Sequence, residues 1–328
     1  MLAKSERFGL LDLLLDNMGN VLYNNYKHAL LEHNERGKQG AHKIMEPSSH
    51  TYVFDPESPT EMARLINHDR VVTQSMGGLL SGIPDPSSLR NVLDLGCGPG
   101  SWVLDVAFEL PDAEVEGVDI SRTMVGYANA RARTQHLPNA SFGVMDITQP
   151  LDFPDASFDL VNARLLVGVL KRDRWPSFLN ECDRVLRPGG LLRLTEPADF
   201  GATTGDAVNH LMALMMQALS LVGYSVAHQH VLDILPLLLS FFRSQGYQQV
   251  QMLPFILDYS ADTAAWADSS HNIEILGDQM KPLLVKLGLV TDEVFDDLQQ
   301  QALIETLQGT YCGISHHATV LGRKPSER

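Results

Sequence analysis

Val92-Leu93-Asp94-Leu95-Gly96-Cys97-Gly98-Pro99-Gly100 reads as a buried strand that runs into a turn with glycine at alternate positions, and a helix follows at about 102–110. Glycine is the residue that accepts positive φ without strain, and without a Cβ it lets a ligand approach the backbone closely. Asp94 stands two positions ahead of the first glycine, where a carboxylate faces whatever the turn receives.

Outward from this stretch the texture repeats. Apolar runs at 115–120, 142–147, 158–162 and 190–195 read as strands, and helical patterns lie at 123–133 and 175–186. Strand and helix in alternation argue for parallel crossover units in one doubly wound sheet. After Glu196 the alternation stops. The stretches 204–246 and 262–307 are helical in pattern, and 250–259 and 311–321 read as two late strands. Ahead of the core, Phe8, Leu11, Leu15 and Met18 recur at helical spacing over 5–18, and a second helical stretch covers about 21–33. A polar segment at 34–49 reads as a linker, and 56–76 as a further helix started by Pro59 and Glu61. The chain therefore divides into a helical N-terminal extension or lid over 1–85 and an α/β domain over 86–328, with helical inserts at about 204–246 and 262–307.

Composition narrows the function. The 328 residues hold 25 Lys+Arg against 40 Asp+Glu, a net charge of −15, which disfavours binding to a phosphate backbone. Three cysteines far apart form no disulfide framework and no Cys-x-x-Cys pair, so a reducing, cytoplasmic setting is expected. The longest apolar runs, 211–224 and 231–242, fall short of the roughly 20 residues that span a bilayer. Neither nucleic acid nor a membrane is thus the expected partner. The Leu-rich first helix can equally well pack on a second copy and give a homodimer.

Two further carboxylates sit where strands end. Asp119 closes Val115-Glu116-Gly117-Val118-Asp119, 23 residues after Gly96, placed to accept hydrogen bonds from ribose hydroxyls. Asp146 follows Gly143-Val144-Met145, placed to accept from an adenine amino group. Arg184-Val185-Leu186-Arg187-Pro188-Gly189-Gly190 turns from a helix into the fifth strand. In order and spacing these signals resemble the class I S-adenosylmethionine-dependent methyltransferases over roughly 87–197, in tone the small-molecule enzymes of ubiquinone and menaquinone biosynthesis. The resemblance implies a Rossmann-like, seven-stranded sheet with an antiparallel last strand. It implies S-adenosylmethionine as cofactor, S-adenosylhomocysteine as product and a small-molecule acceptor as partner. Asp94, Gly96, Cys97, Gly98 and Gly100 would then surround the methionyl end. Asp119 would hold the ribose, with Ile120 and Met124 beside the adenine, Asp146 and Ile147 at its edge, and Asn162, Ala163 and Arg164 at the exit side. Tyr52 and Arg64 would close the pocket, Arg64 as partner of the cofactor carboxylate.

Other readings meet specific obstacles. The nicotinamide fingerprint wants Gly or Ala where Ser101 stands. A fold kept without methylation is the other alternative. His228-x-His230 and His316-His317 lack Cys or carboxylate partners at metal-binding spacing, so no metal is expected. Met212, Met215 and Met216 follow helical spacing and suit either core or a pliable acceptor wall. Glu196, after the fifth strand, is the one acidic side chain that sequence logic puts near an acceptor, as catalytic base or as a cap.

Overall fold

β1 (Asn91–Leu95) is buried on both faces from Val92 onward, as a central parallel strand must be. It pairs in parallel with β2 (Glu114–Asp119) on one side and β4 (Phe158–Arg164) on the other. β3 (Ala140–Val144) extends the sheet from β2, and β5 (Leu186–Pro197) extends it from β4. β8 (Gly313–Arg323) runs antiparallel along β5 and carries β7 (Gln248–Asp258), also antiparallel, on its far edge. The two-residue β6 (Ala202–Thr203) pairs with the start of β8. This computed structural model describes residues 54–224 and 231–326, without the side chains of 267–270. The helices expected at 5–18 and 21–33, and the residues Tyr52, His228 and His230, lie outside the described residues.

The last strand in the chain, β8, runs antiparallel to β5 as expected from the sequence; the strands lie in the order β3-β2-β1-β4-β5-β8-β7, and the short β6 beside β8 makes an eighth strand where seven were expected. The direction of winding reverses between β1 and β4. In doubly wound sheets ligands bind outside the carboxyl ends of the strands at that reversal.

Alternating side chains of β1 feed two cores. Leu93 and Leu95 pack with Phe178, Leu179 and Cys182 of α4 (Trp175–Val185) and with Leu238 and Phe242 of α6 (Ile234–Ser244). Val92 packs on the opposite face with Trp102, Val103 and Val106 of α2 (Ser101–Glu109). α3 (Arg122–Thr134) joins β2 to β3, and its first turn is capped by Ser121, whose hydroxyl accepts the Met124 N–H at 3.1 Å.

A separate apolar cluster joins α5 (Asp206–Leu221), α7 (Trp266–Lys286) and α8 (Asp292–Thr306), through Leu211, Met215, Ile273, Met280 and Phe295 among others. α1 (Pro59–Ser75), with Pro59 in its first turn and Ser58 as its cap, packs against α7 and β7.

Three boundaries differ from the sequence reading. β3 ends at Val144, so Asp146 lies in the loop beyond the strand. The stretch 204–246 holds two helices of different allegiance, since α6 belongs to the sheet's own core while α5 joins the cluster beside it. The stretch 262–307 is broken between α7 and α8, where Gly288 takes φ +69° and Thr291 caps the second helix.

Candidate functional site

The glycine turn is shaped by two different demands. Gly96, Gly98 and Gly100 have φ of +73°, +52° and +78°. At Gly98 an added Cβ would find only Leu65 Cδ1, at 3.7 Å, so the space above it is open. At Gly100 an added Cβ would lie 2.6 Å from a Phe142 ring carbon and 2.7 Å from the Ala128 Cβ. Gly98 therefore leaves room for a ligand, whereas Gly100 lets α3 and β3 close on the start of α2. Gly100, expected around the cofactor, does not line the cavity.

That cavity opens over the ends of β1, β2 and β4. Asp94, Gly96, Cys97, Gly98, Asp119, Ile120, Met124, Asp146, Ile147 and Arg164 all line it, as expected. Burial pushes the Asp94 carboxyl up to about 6 and raises Asp119 as well. Asp119 accepts the N–H of Gly98 and of Ser121, each at 2.9 Å, so the carboxylate ties the turn to the tip of β2. Asp146 Oδ1 accepts from the Thr148 N–H at 2.9 Å and from its hydroxyl at 2.7 Å. Burial also lifts the Cys97 thiol, which makes it an inert filler of the turn rather than a nucleophile.

Asn162 and Ala163 stand outside the cavity. Ala163 is sealed in the core. Asn162 is fully buried; its Nδ2 donates to Asp94 Oδ1 at 2.7 Å, and its Oδ1 accepts from Arg193 Nη1 at 2.8 Å. Asn162 thus orients Asp94 and links it to a buried cation, Arg193, whose pKa burial lowers to about 9. Arg164 does line the cavity, and its guanidinium grips Asp69 and donates to Thr73 Oγ1 at 3.1 Å, which fastens α1 over the strand ends. Glu57 closes the same side: its carboxylate accepts the N–H groups of Arg122 and Thr123 at 3.1 and 3.2 Å and the Thr123 hydroxyl, and the neighbouring Pro56 lines the cavity. That carboxylate is drawn below its ordinary pKa, first by the Thr123 hydroxyl.

A second, mainly apolar cavity adjoins the first, and Leu65, His68 and Leu165 line both. Its walls come from α1, α5 and α7 and from the sheet end, with Val208, Met212, Met215, Leu219, Ile273 and Met280 prominent. Met216, by contrast, is sealed in the sheet core. Arg64 lines this second cavity rather than the first, and both of its ends are engaged with Glu61, at 2.6 and 2.8 Å. Arg64 is therefore not placed to meet the cofactor carboxylate expected of it.

Glu196 also departs from expectation as a base. It is 1% exposed and lines neither cavity; its Oε1 accepts the Leu166 N–H at 2.7 Å and Oε2 the Val167 N–H at 3.1 Å. Burial raises its pKa to about 8. The two bonds hold the turn that starts at Leu165, a non-glycine residue with φ +59° at the junction of the cavities. A strained backbone held in place from behind is a feature of sites that need a fixed wall. Glu196 is a positioning residue for that turn.

The sequence reading missed His68, Asp69, Glu57 and Arg193. Each is an isolated polar residue in a helix, loop or strand, and no spacing marks it. His317 was read only for metal; it lines the second cavity, stacks on Phe255 at 5.4 Å and shares a 3.0 Å hydrogen bond with Ser315 through Nε2. Among the described residues no three His, Cys, Asp or Glu side chains gather around a metal position, and no helix is long and apolar enough to cross a membrane.

A methyltransferase-domain family model matches residues 92–190. An aklanonic acid methyltransferase, DauC, of Streptomyces sp. (strain C5) is 32% identical over 173 residues, which is 52% of this chain and 74% of that protein. A protein-methionine methyltransferase, laeA, of Emericella nidulans is 29% identical over 182 residues, 53% of this chain and 46% of the relative. A probable methyltransferase, ltbC, of Aspergillus luteorubrus is 33% identical over 107 residues, 31% of this chain and 38% of the relative. The chain spans less than half the length of the latter two.

Proposed function

The chain belongs to the class I S-adenosylmethionine-dependent methyltransferases, and from that premise we propose that it methylates a small, largely apolar acceptor held in the second cavity. The observation that carries the proposal is the sharing of Leu65, His68 and Leu165 by two adjoining cavities, of which the second is the more apolar. A ligand in each would meet at those three residues and nowhere else.

The residues of the first cavity suit S-adenosylmethionine, the cofactor of the family. Asp119 and Asp146 offer acceptors to hydroxyl and amino groups, Ile120, Met124 and Ile147 offer an apolar slot for a flat ring, and Gly98 leaves open the space a side chain would fill. Asp94 brings negative charge to the end where a cationic group would lie, and Asn162 fixes its orientation. When bound, the cofactor supplies a methyl group made electrophilic by its positive sulfur. The protein's task is then position and exclusion of water. Holding the reacting atoms in line at about 3 Å can supply roughly 7–11 kcal/mol of the barrier. The Met212 and Met215 side chains give the acceptor wall an adaptable surface.

The test is transfer of labelled methyl from S-adenosylmethionine to a panel of apolar small molecules, alongside a methionine-containing protein, since one relative is named for that acceptor. Label in a small molecule supports the proposal. Label only in the protein, or cofactor binding with no transfer at all, refutes the small-molecule reading.

A further inference from the structure

Arg64, Asn272 and His68 form a chain of hydrogen bonds with a fixed direction. Arg64 Nη1 can only donate, and it donates to Asn272 Oδ1 at 3.3 Å. The amide oxygen is thereby assigned to the arginine side, and the amide nitrogen faces His68 Nδ1, also at 3.3 Å. An amide nitrogen cannot accept a hydrogen bond, so Nδ1 presents its lone pair and the single proton of the neutral ring sits on Nε2. Nε2 has no partner among the described residues and is not sealed from the space around it. His68 lies at the junction of the two cavities.

The ring stays neutral because burial and the neighbouring charged or chargeable groups of three elements, Arg64 on α1, Arg164 on β4 and His317 on β8, lower its pKa to about 3. Asp69, the nearest carboxylate in sequence, is already held by Arg164. A neutral histidine whose Nε2 carries the proton and whose Nδ1 is occupied cannot take a proton from an acceptor. It can only donate a hydrogen bond.

We propose that His68 is an acceptor-selecting hydrogen-bond donor, and that the second cavity takes apolar molecules that carry an anionic oxygen, a carboxylate or an enolate, at the end facing the first cavity. This rests on the reading of the second cavity as the acceptor site. A neutral donor in a water-poor site favours an oxygen with full negative charge over a neutral one, and the Arg64 guanidinium behind Asn272 polarises the chain in the same sense. Such an oxygen has no proton to lose. That suits the second cavity, whose lining carboxylate, Asp199, is already engaged by Gly201 N, His316 N and His316 Nδ1.

Two measurements on the full chain test this. In long-range proton–nitrogen spectra of ¹⁵N-histidine-labelled protein, the signal lost in His68→Gln is expected to show a protonated Nε2 and a bare Nδ1 from pH 8 down to pH 5. An Nδ1-protonated ring, or one that titrates in the ordinary histidine range, overturns the proposal. In calorimetry with S-adenosylhomocysteine present, 2-naphthoate is expected to bind at least about tenfold tighter than 2-naphthylmethylammonium. His68→Phe is expected to erase the preference. Asn272→Asp, whose second oxygen demands a proton on Nδ1, is expected to erase it too. A preference that survives in His68→Phe overturns the selecting role. If neither probe binds the wild-type chain, the acceptor-site reading beneath the proposal falls as well, and methyl transfer to other acceptors is judged by the label experiment alone.

Discussion

The backbone N–H of Gly98 donates to Asp119 Oδ2 at 2.9 Å, so the carboxylate that lines the first cavity also anchors the turn above it. Loss of Asp119 therefore acts twice, on the ligand and on the shape of its cradle. Asp119→Ala is expected to weaken S-adenosylhomocysteine binding by about 2–3 kcal/mol, the scale of a charge-assisted hydrogen bond plus an unpaired donor. Calorimetry reads the affinity. A companion melt is expected to show only a small drop, because the residue ends its strand rather than filling the core.

Gly98→Ala and Gly100→Ala separate ligand space from packing. At Gly98 the new methyl has room inside the fold, so stability should fall by only about 1 kcal/mol, from the positive φ, while cofactor affinity drops. At Gly100 the methyl collides with Phe142 and Ala128, and overpacking typically costs about 1–3 kcal/mol. Thermal unfolding is expected to shift for Gly100→Ala far more than for Gly98→Ala, and equal shifts would contradict the division of labour.

Glu196→Gln tests the turn at 165–167. Glutamine keeps one acceptor oxygen and turns an N–H₂ toward a backbone N–H, leaving a buried donor unpaired at a cost of about 1–3 kcal/mol. Because the native pKa, about 8, lies above that of an unfolded glutamate, the folded state binds more protons between the two values. Native stability contributed by this group is therefore present below about pH 4.5 and declines as pH rises to about 8. The glutamine variant should lack that decline. Denaturation at several pH values measures it, and turnover lost without any change in stability would restore the base reading.

His68 and His317 give the opposite slope. Both are held neutral, with pKa lowered chiefly by burial to about 3 and about 4. The unfolded chain takes up protons below about pH 6.5 and the folded one does not. Stability from these groups is complete above that pH and falls as pH drops through the window, by up to about 1.4 kcal/mol per pH unit for each histidine. Urea midpoints measured from pH 7 to pH 5 are expected to fall less steeply in the double variant His68→Gln/His317→Gln.

Glu57 caps the first turn of α3 from the segment before α1. A lost cap costs on the order of 1 kcal/mol. Glu57→Ala is expected to speed S-adenosylhomocysteine release about fivefold in stopped-flow displacement while lowering the melting temperature by only about 2–4 °C. An unchanged release rate would mean that Pro56 and its neighbours do not gate the cavity.

The lining of the first cavity was legible in the sequence because local rules govern it. A both-sides-buried strand, a turn that needs positive φ and a helix start are adjacent in the chain, so Asp94, Gly96 and Gly98 announce themselves together. Asp119 and Asp146 follow because each lies at or just past the end of a recognisable strand. Gly100, Asn162 and Ala163 sit in the same motifs yet face packing rather than ligand, and only the rotation of each residue about its strand or turn decides that. Arg64 falls in the neighbouring cavity because helix phase turns it toward α7 and Glu61.

By itself, then, the sequence determined the doubly wound sheet, its antiparallel last strand and the glycine cradle. Period and turn chemistry are local properties, and the crossover rule leaves few ways to wind them. The second cavity was decided by tertiary structure alone. Its walls come from α1, α5, α7 and β8, with Arg64 and His317 lying 253 residues apart, and the direction of the proton on His68 depends on Asn272, 204 residues away. Glu196 makes the same point in reverse: strand logic put it near the crevice, but a carboxylate buried that deeply must find donors, and it found them in the backbone of Leu166 and Val167.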